Sequence, residues 1–144
     1  MKREIKFRGK RLDNGDWVEG DLLKNVIGVC YIVSGISDNS ESGIITLRYN
    51  RVDPETVGEY TGMNGIFEDD IINVRFGANN EPIPMQVLFE NGSWCIKEYW
   101  DDTLHDIYSY EDEIEGVIGN IFDSPELQKI SGKAHDFSRG MKAP

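Results

Sequence analysis

Met85-Gln86-Val87-Leu88-Phe89-Glu90-Asn91-Gly92-Ser93-Trp94-Cys95-Ile96-Lys97-Glu98-Tyr99 is the stretch that decides the fold class. Two runs rich in β-branched and aromatic residues flank Asn91-Gly92, a pair suited to the positive φ angles of a tight hairpin turn. The same grammar continues on both sides. Upstream, Met63-Asn64-Gly65 forms a turn before a run from Ile66 to Phe76 that alternates well from Ile72 onward. Between the two, Gly77 to Pro84 reads as a polar loop whose Pro82 and Pro84 restrict pairing to an edge. Earlier still, Val26 to Val33 and Ile44 to Tyr49 read as strands. Ser34 to Gly43, rich in Gly, Ser and Asn, reads as a flexible hairpin loop or flap between them.

The amino-terminal segment Glu4-Ile5-Lys6-Phe7-Arg8 alternates polar and apolar residues, which places Ile5 and Phe7 towards a core. Asp13-Asn14-Gly15-Asp16 then turns the chain into Trp17 to Leu23. Asp53 before Pro54 starts a turn or short helix. Downstream, Trp100 to Glu115 is an acidic, aromatic excursion without clear periodicity, and Glu115 to Phe122 is a last strand. Ser124 before Pro125 caps a short helix, and a frayed tail begins at Ser131. These short, regularly spaced strands predict a mainly β fold, a barrel or sandwich with a short C-terminal helix. The expected organisation is an N-terminal hairpin and strand unit over 1–58, a small β-barrel unit over 59–130 packed on it, and a flexible tail over 131–144.

Composition narrows the function classes. The chain has 144 residues, enough for one domain or two very small units, with three Trp, six Tyr and six Phe to build a core. No apolar run approaches the roughly 18 residues of a membrane span, and no apolar segment follows the basic start, so cytoplasmic residence is expected. Cys30 and Cys95 each lie in an apolar run, read as buried free thiols rather than a disulfide or zinc site. The net charge is −11, yet residues 1–11 hold Lys2, Arg3, Lys6, Arg8, Lys10 and Arg11 against Glu4. That balance of +5 leaves −16 on the rest, which repels phosphate over a Debye length of roughly 8 Å.

Four co-linear blocks resemble the YopX family of bacteriophage and prophage proteins. The first is Arg3-Glu4-Ile5-Lys6-Phe7-Arg8-Gly9-Lys10 with Asn14-Gly15-Asp16-Trp17-Val18-Glu19-Gly20-Asp21. The second runs from Val52-Asp53-Pro54-Glu55-Thr56-Val57 through Gly62. Ile66-Phe67-Glu68 with Asp70-Ile71-Ile72 is the third, and Val117 to Phe122 with Pro125-Glu126-Leu127 is the fourth. Together they span residue 3 to about residue 127. The sequence departs from the family pattern at Asp69, where the family usually has Gly, and in a shorter insert between Gly62 and Ile66. The resemblance implies a β-rich fold whose later half is like a small SH3-like barrel, and a phage or prophage origin. It implies no activity and carries over no catalytic residue.

The residues themselves offer four weak centres. Glu68-Asp69-Asp70 has the carboxylates of a cation or acid-base site, but neighbours on a strand face opposite ways, so a polar turn is the cheaper reading. His105, beside Asp101, Asp102 and Asp106, has no second His or nearby Cys to make a metal set. The basic strand from Lys2 to Arg11, with Phe7 and Trp17 for stacking, could meet nucleic acid. Its bland reading is cross-strand pairing with Asp13, Asp16, Glu19 and Asp21. Tyr99, Trp100, Tyr108 and Tyr110 suit a protein interface. The expectation is therefore a non-catalytic protein-interaction module without cofactor or metal, binding a protein partner or itself and no membrane. The alternatives are a nucleic-acid-binding accessory protein, an acidic decoy for a host DNA-binding protein, and a metal hydrolase using Glu68, Asp70 and His105.

Overall fold

The computed structural model describes residues 3–76, 81–99 and 101–127. The chain divides into two compact units, Met1–Phe67 and Glu68–Pro144. Each is built on one antiparallel five-stranded sheet, so the fold is mainly β. The expected tail from residue 131 lies outside the described residues.

In the first unit the sheet order is β4-β3-β2-β1-β5. The strands are β1 (Phe7–Lys10), β2 (Trp17–Lys24), β3 (Cys30–Asn39), β4 (Ile44–Val52) and β5 (Gly58–Glu59). Asn14-Gly15 does turn the chain, through a four-residue loop closed by Arg11 N–H donating to Asp16 O at 2.9 Å. Strand β2 serves two neighbours in succession. Its first half pairs with β1, ending at Phe7↔Gly20, and its second half pairs with β3 from Asp21↔Val33. Gly20 makes that handover possible, because a Cβ there would sit 1.9 Å from the Val33 carbonyl oxygen. Cys30, Ile32 and Val52 form the core, with Phe7, Val18, Leu22 and Val57 packed on it. Ile5, expected inward, is instead exposed and precedes the first strand.

A 3-10 turn, Pro54–Thr56, follows β4, as Asp53-Pro54 suggests. The Asp53 carboxylate accepts from Glu55 N–H at 3.1 Å. Thr56 Oγ1 then accepts from Lys10 N–H at 2.9 Å and ties the turn to β1.

Two strand boundaries need correction. Val26 and Ile27 lie in an exposed turn held by Asn25, and the strand expected from Val26 begins only at Cys30. Residues 34–39 are not a loop: β3 continues to Asn39 and pairs with β4 along its length, from Cys30↔Val52 to Asn39↔Ile44. Only residues 40–43 turn. Asn39 organises them, accepting Glu41 N–H at its side chain (3.1 Å) and Gly43 N–H at its carbonyl (2.8 Å). Backbone pairing carries this arm, so its polar composition is no obstacle to strand formation.

The second unit holds β6 (Asp70–Phe76), β7 (Glu81–Glu90), β8 (Ser93–Lys97), β9 (His105–Asp106) and β10 (Ile114–Asn120), in the order β10-β6-β7-β8-β9. Among the described residues no pairing joins β9 to β10, so the sheet is open and not a closed barrel. Asn91 and Gly92 both take positive φ, and Glu90 pairs with Ser93 across them. Of the segment read as a loop from Gly77 to Pro84, residues 77–80 lie outside the described residues. The reading is corrected from Glu81 to Pro84, since these residues belong to β7, with Pro82 and Pro84 opposite Arg75 and Asn73. The edge constraint on them nevertheless holds. Strand β8 reaches β7 only from Gln86 to Glu90, so the proline half of β7 has β6 alone as neighbour. The excursion after residue 100 contains β9 and a 3-10 segment, Ile107–Glu113, anchored by fully buried Ile107. Ser124 precedes a helical turn over 125–127 that lies against β10. A Cβ on Gly119 would meet Leu127 Cδ1 at 2.8 Å.

Candidate functional site

Arg8 and Lys10 on β1, and Lys6 immediately before it, are spaced by two and share one face, as extended backbone requires. The structure sets that face against aromatic rings. Lys6 Nζ lies 4.8 Å from the Tyr60 ring centroid and 5.7 Å from that of Phe67. The Arg8 guanidinium sits 4.6 Å from Trp17 and 4.9 Å from Phe67, and Lys10 Nζ is 5.6 Å from Trp17. Cations and rings thus interleave in a cation–π ladder. Tyr60 and Phe67 are themselves bridged and tilted together, with centroids 5.1 Å apart.

Carboxylates engage the same cations. Lys6 pairs with Glu19 at 3.2 Å, Arg3 with Glu59 at 3.3 Å and Arg11 with Asp13 at 2.6 Å. The hydrogen bond from Lys6 to Glu19 holds the ammonium above its ordinary pKa, and the bond from Arg11 to Asp13 does the same for the guanidinium. The Asp13 carboxyl is correspondingly lowered. The basic strand is therefore half-covered by rings and largely matched by acids. Lys2 lies outside the described residues.

The other predicted centres are dispersed. Glu68 and Asp69 form a turn and Asp70 opens β6, almost fully buried. Asp69 adopts φ 69°, the conformation that favours glycine, which accounts for a position usually filled by Gly. Gln86 Nε2 donates to its carboxylate at 3.2 Å and Val87 O accepts its N–H at 2.9 Å. His105 is half-buried in β9, edge-on to Tyr110 at 5.9 Å, with Nε2 4.0 Å from Oε1 of buried Glu98. Among the described residues, no three His, Cys, Asp or Glu side chains group to hold a metal ion. Glu68, Asp70 and His105 therefore make no such set. Cys30 and Cys95 are buried free thiols.

Of the predicted interface aromatics, Tyr108 is exposed, Tyr110 packs on His105, and Tyr99 is half-buried with its hydroxyl oxygen inside. Trp100 lies outside the described residues. An uncovered apolar face lies elsewhere among the described residues, on the β3–β4 arm. Ile36 (62% exposed) faces Leu47 (41%), and Ile45 (63%) and Tyr49 (60%) extend the same face along β4. The sequence held a signal for it. An apolar strand, Ile44 to Tyr49, follows a Gly/Ser/Asn segment of matching length, and pairing the two leaves the apolar side chains uncovered.

The architecture defines a mainly β, two-sheet protein, and among the described residues no helix is long and apolar enough to cross a membrane. The profile of the YopX protein family matches residues 6–129, and the chain belongs to that family. No curated protein matches the sequence.

Proposed function

We propose that this YopX-family chain is a non-catalytic protein-interaction module, phage- or prophage-encoded and acting in the cytoplasm of the bacterial host. The observation that carries the reading is the apolar face of the β3–β4 arm, where four large side chains stand in solvent on one regular surface. Contiguous exposed apolar area of this kind is characteristic of contact sites. Tyr108 adds an exposed ring on the second unit. That unit supports an SH3-like description by its order alone. Four strands meander from β6 to β9, a 3-10 segment follows, and β10 returns beside β6.

The nucleic-acid alternative draws less support. A phosphate-binding strand needs cations available to replace counterions, whereas Lys6, Arg8 and Lys10 are already stacked on rings and Lys6 and Arg11 are ion-paired. A photo-crosslinking residue placed at Leu47, at Tyr108 and, as a control, at Asp13 tests the proposal in producing cells. A discrete protein adduct from Leu47 or Tyr108, absent at Asp13, is the expected result. No adduct from either position would remove the proposal.

A further inference from the structure

The two sheets end in four edge strands, and three of them are protected. Strands β5 and β9 have two residues each. Strand β10 breaks register twice against β6, carries two glycines, and has Glu115 tied to Arg75 at 2.7 Å. Short or bulged edges are poor templates for another strand. Strand β4 differs from all of these. It runs for nine residues and contains neither Pro nor an acidic residue. From Ile44 to Asn50 it pairs with β3 alone among the described residues, while beyond that Leu12 N–H donates to Arg51 O at 3.1 Å and Arg11 bridges Val52. Its one irregularity lies on β3, between Val33 and Gly35.

The side chains of β4 specify what would pair with it. Ile45, Leu47 and Tyr49 occupy one face and Thr46 and Arg48 the other, with Arg51 returning to the face of Tyr49. Among the described residues neither the Arg48 nor the Arg51 guanidinium has an ion-pair or hydrogen-bond partner. Beside Arg51 a shallow hollow of about 430 Å³ is lined by Arg11, Leu12, Asp13, Tyr49, Asn50 and Arg51, continuing the surface beyond the strand. We infer that β4 is a docking edge for an extended acidic segment of a protein partner, added as a sixth strand, in which carboxylates alternate with apolar residues. The apolar members meet Ile45, Leu47 and Tyr49 on one face, and a carboxylate on the opposite face meets Arg48. A second copy of β4 is a poorer occupant, because its own arginines would be brought beside these.

The inference rests on the interaction-module reading and specifies its partner. The probe is a labelled synthetic peptide alternating Glu with Val, compared with its Lys-for-Glu counterpart, by fluorescence anisotropy at low and physiological salt. Amide hydrogen exchange maps the contact. The expected result is binding of the Glu peptide alone, with slowed exchange over residues 44–50. The reversal Arg48→Glu weakens that binding by roughly tenfold or more and admits the Lys peptide, whereas Arg51→Glu, on the opposite face, leaves the preference for the Glu peptide in place. Leu47→Lys, also on the exposed arm, abolishes both, and unchanged melting of each variant shows that folding is intact.

Equal binding of both peptides, binding of neither, or protection outside β4 would overturn the assignment. So would concentration-dependent self-association that slows exchange in β4 without peptide, which gives the edge to a second copy. A crosslinked partner at Tyr108 alongside a silent peptide would leave the module reading standing and this one defeated.

Discussion

Strands β1 and β4 belong to one sheet and carry similar numbers of cations, yet their environments are opposite. Strand β1 lies between β2 and β5, and its cations stack on Trp17, Tyr60 and Phe67 or pair with acids. Strand β4 lies at the edge, its arginines are unpaired among the described residues, and its apolar side chains face water. Residue type alone points to β1 as the active surface. The neighbours point to β4. Charge and hydrophobicity become available for recognition only where the fold leaves them uncompensated.

The comparison is open to direct attack. The largest effect is expected where β2 passes from β1 to β3. Gly20→Ala drives a Cβ into the Val33 carbonyl, and a loss of roughly 4 kcal/mol or failure to fold is expected in denaturant titration. Next, buried and uncovered isoleucines of the same sheet should part company. Ile32, fully buried, should cost about 3 kcal/mol on truncation to Ala, whereas Ile45→Ala should stay within about 0.5 kcal/mol. Equal losses from the two would show that the arm face is covered in solution.

Arginines should separate less widely. Arg8→Ala removes a guanidinium held between two rings and should cost about 1 kcal/mol, while Arg48→Ala should be near neutral by the same measurement. The smallest effect belongs to Arg11 and Asp13. The Asp13 carboxyl should titrate below its ordinary 3.8 in carbon-detected NMR and return towards it in Arg11→Gln. Because its folded pKa is lowered, the pair's contribution is complete above 3.8 and is lost as pH falls through the lowered value. Both side chains are at the surface, so thermal stability should register almost nothing.

Much of the fold was legible because turn chemistry is local. Asn91-Gly92 adopts the positive φ angles its residues favour, Asp53 caps the turn that Pro54 begins, and Asp69 stands in the conformation its departure from glycine implies. The misread segments depend on partners. Residues 34–39 look like a loop until β4 supplies their hydrogen bonds, and Glu81 to Pro84 pair because β6 does not require the missing proline donors. Cross-strand pairing of the basic strand was readable from Glu19 and Asp13. The ring ladder was not, since Tyr60 and Phe67 are distant in sequence from Lys6 and Arg8 and reach them only through the strand order. The apolar face of the arm escaped for the complementary reason: an uncovered strand and a buried one have the same composition.

The arm beyond Val33 has a consequence for descent. No residue from Gly35 to Asn39 or from Ile44 to Tyr49 belongs to the buried core. Substitutions there escape the purge that packing imposes on Ile32 or Val52, so this strip can drift at little cost to folding. The surface of the arm can therefore be rewritten while the rest of the molecule is inherited intact.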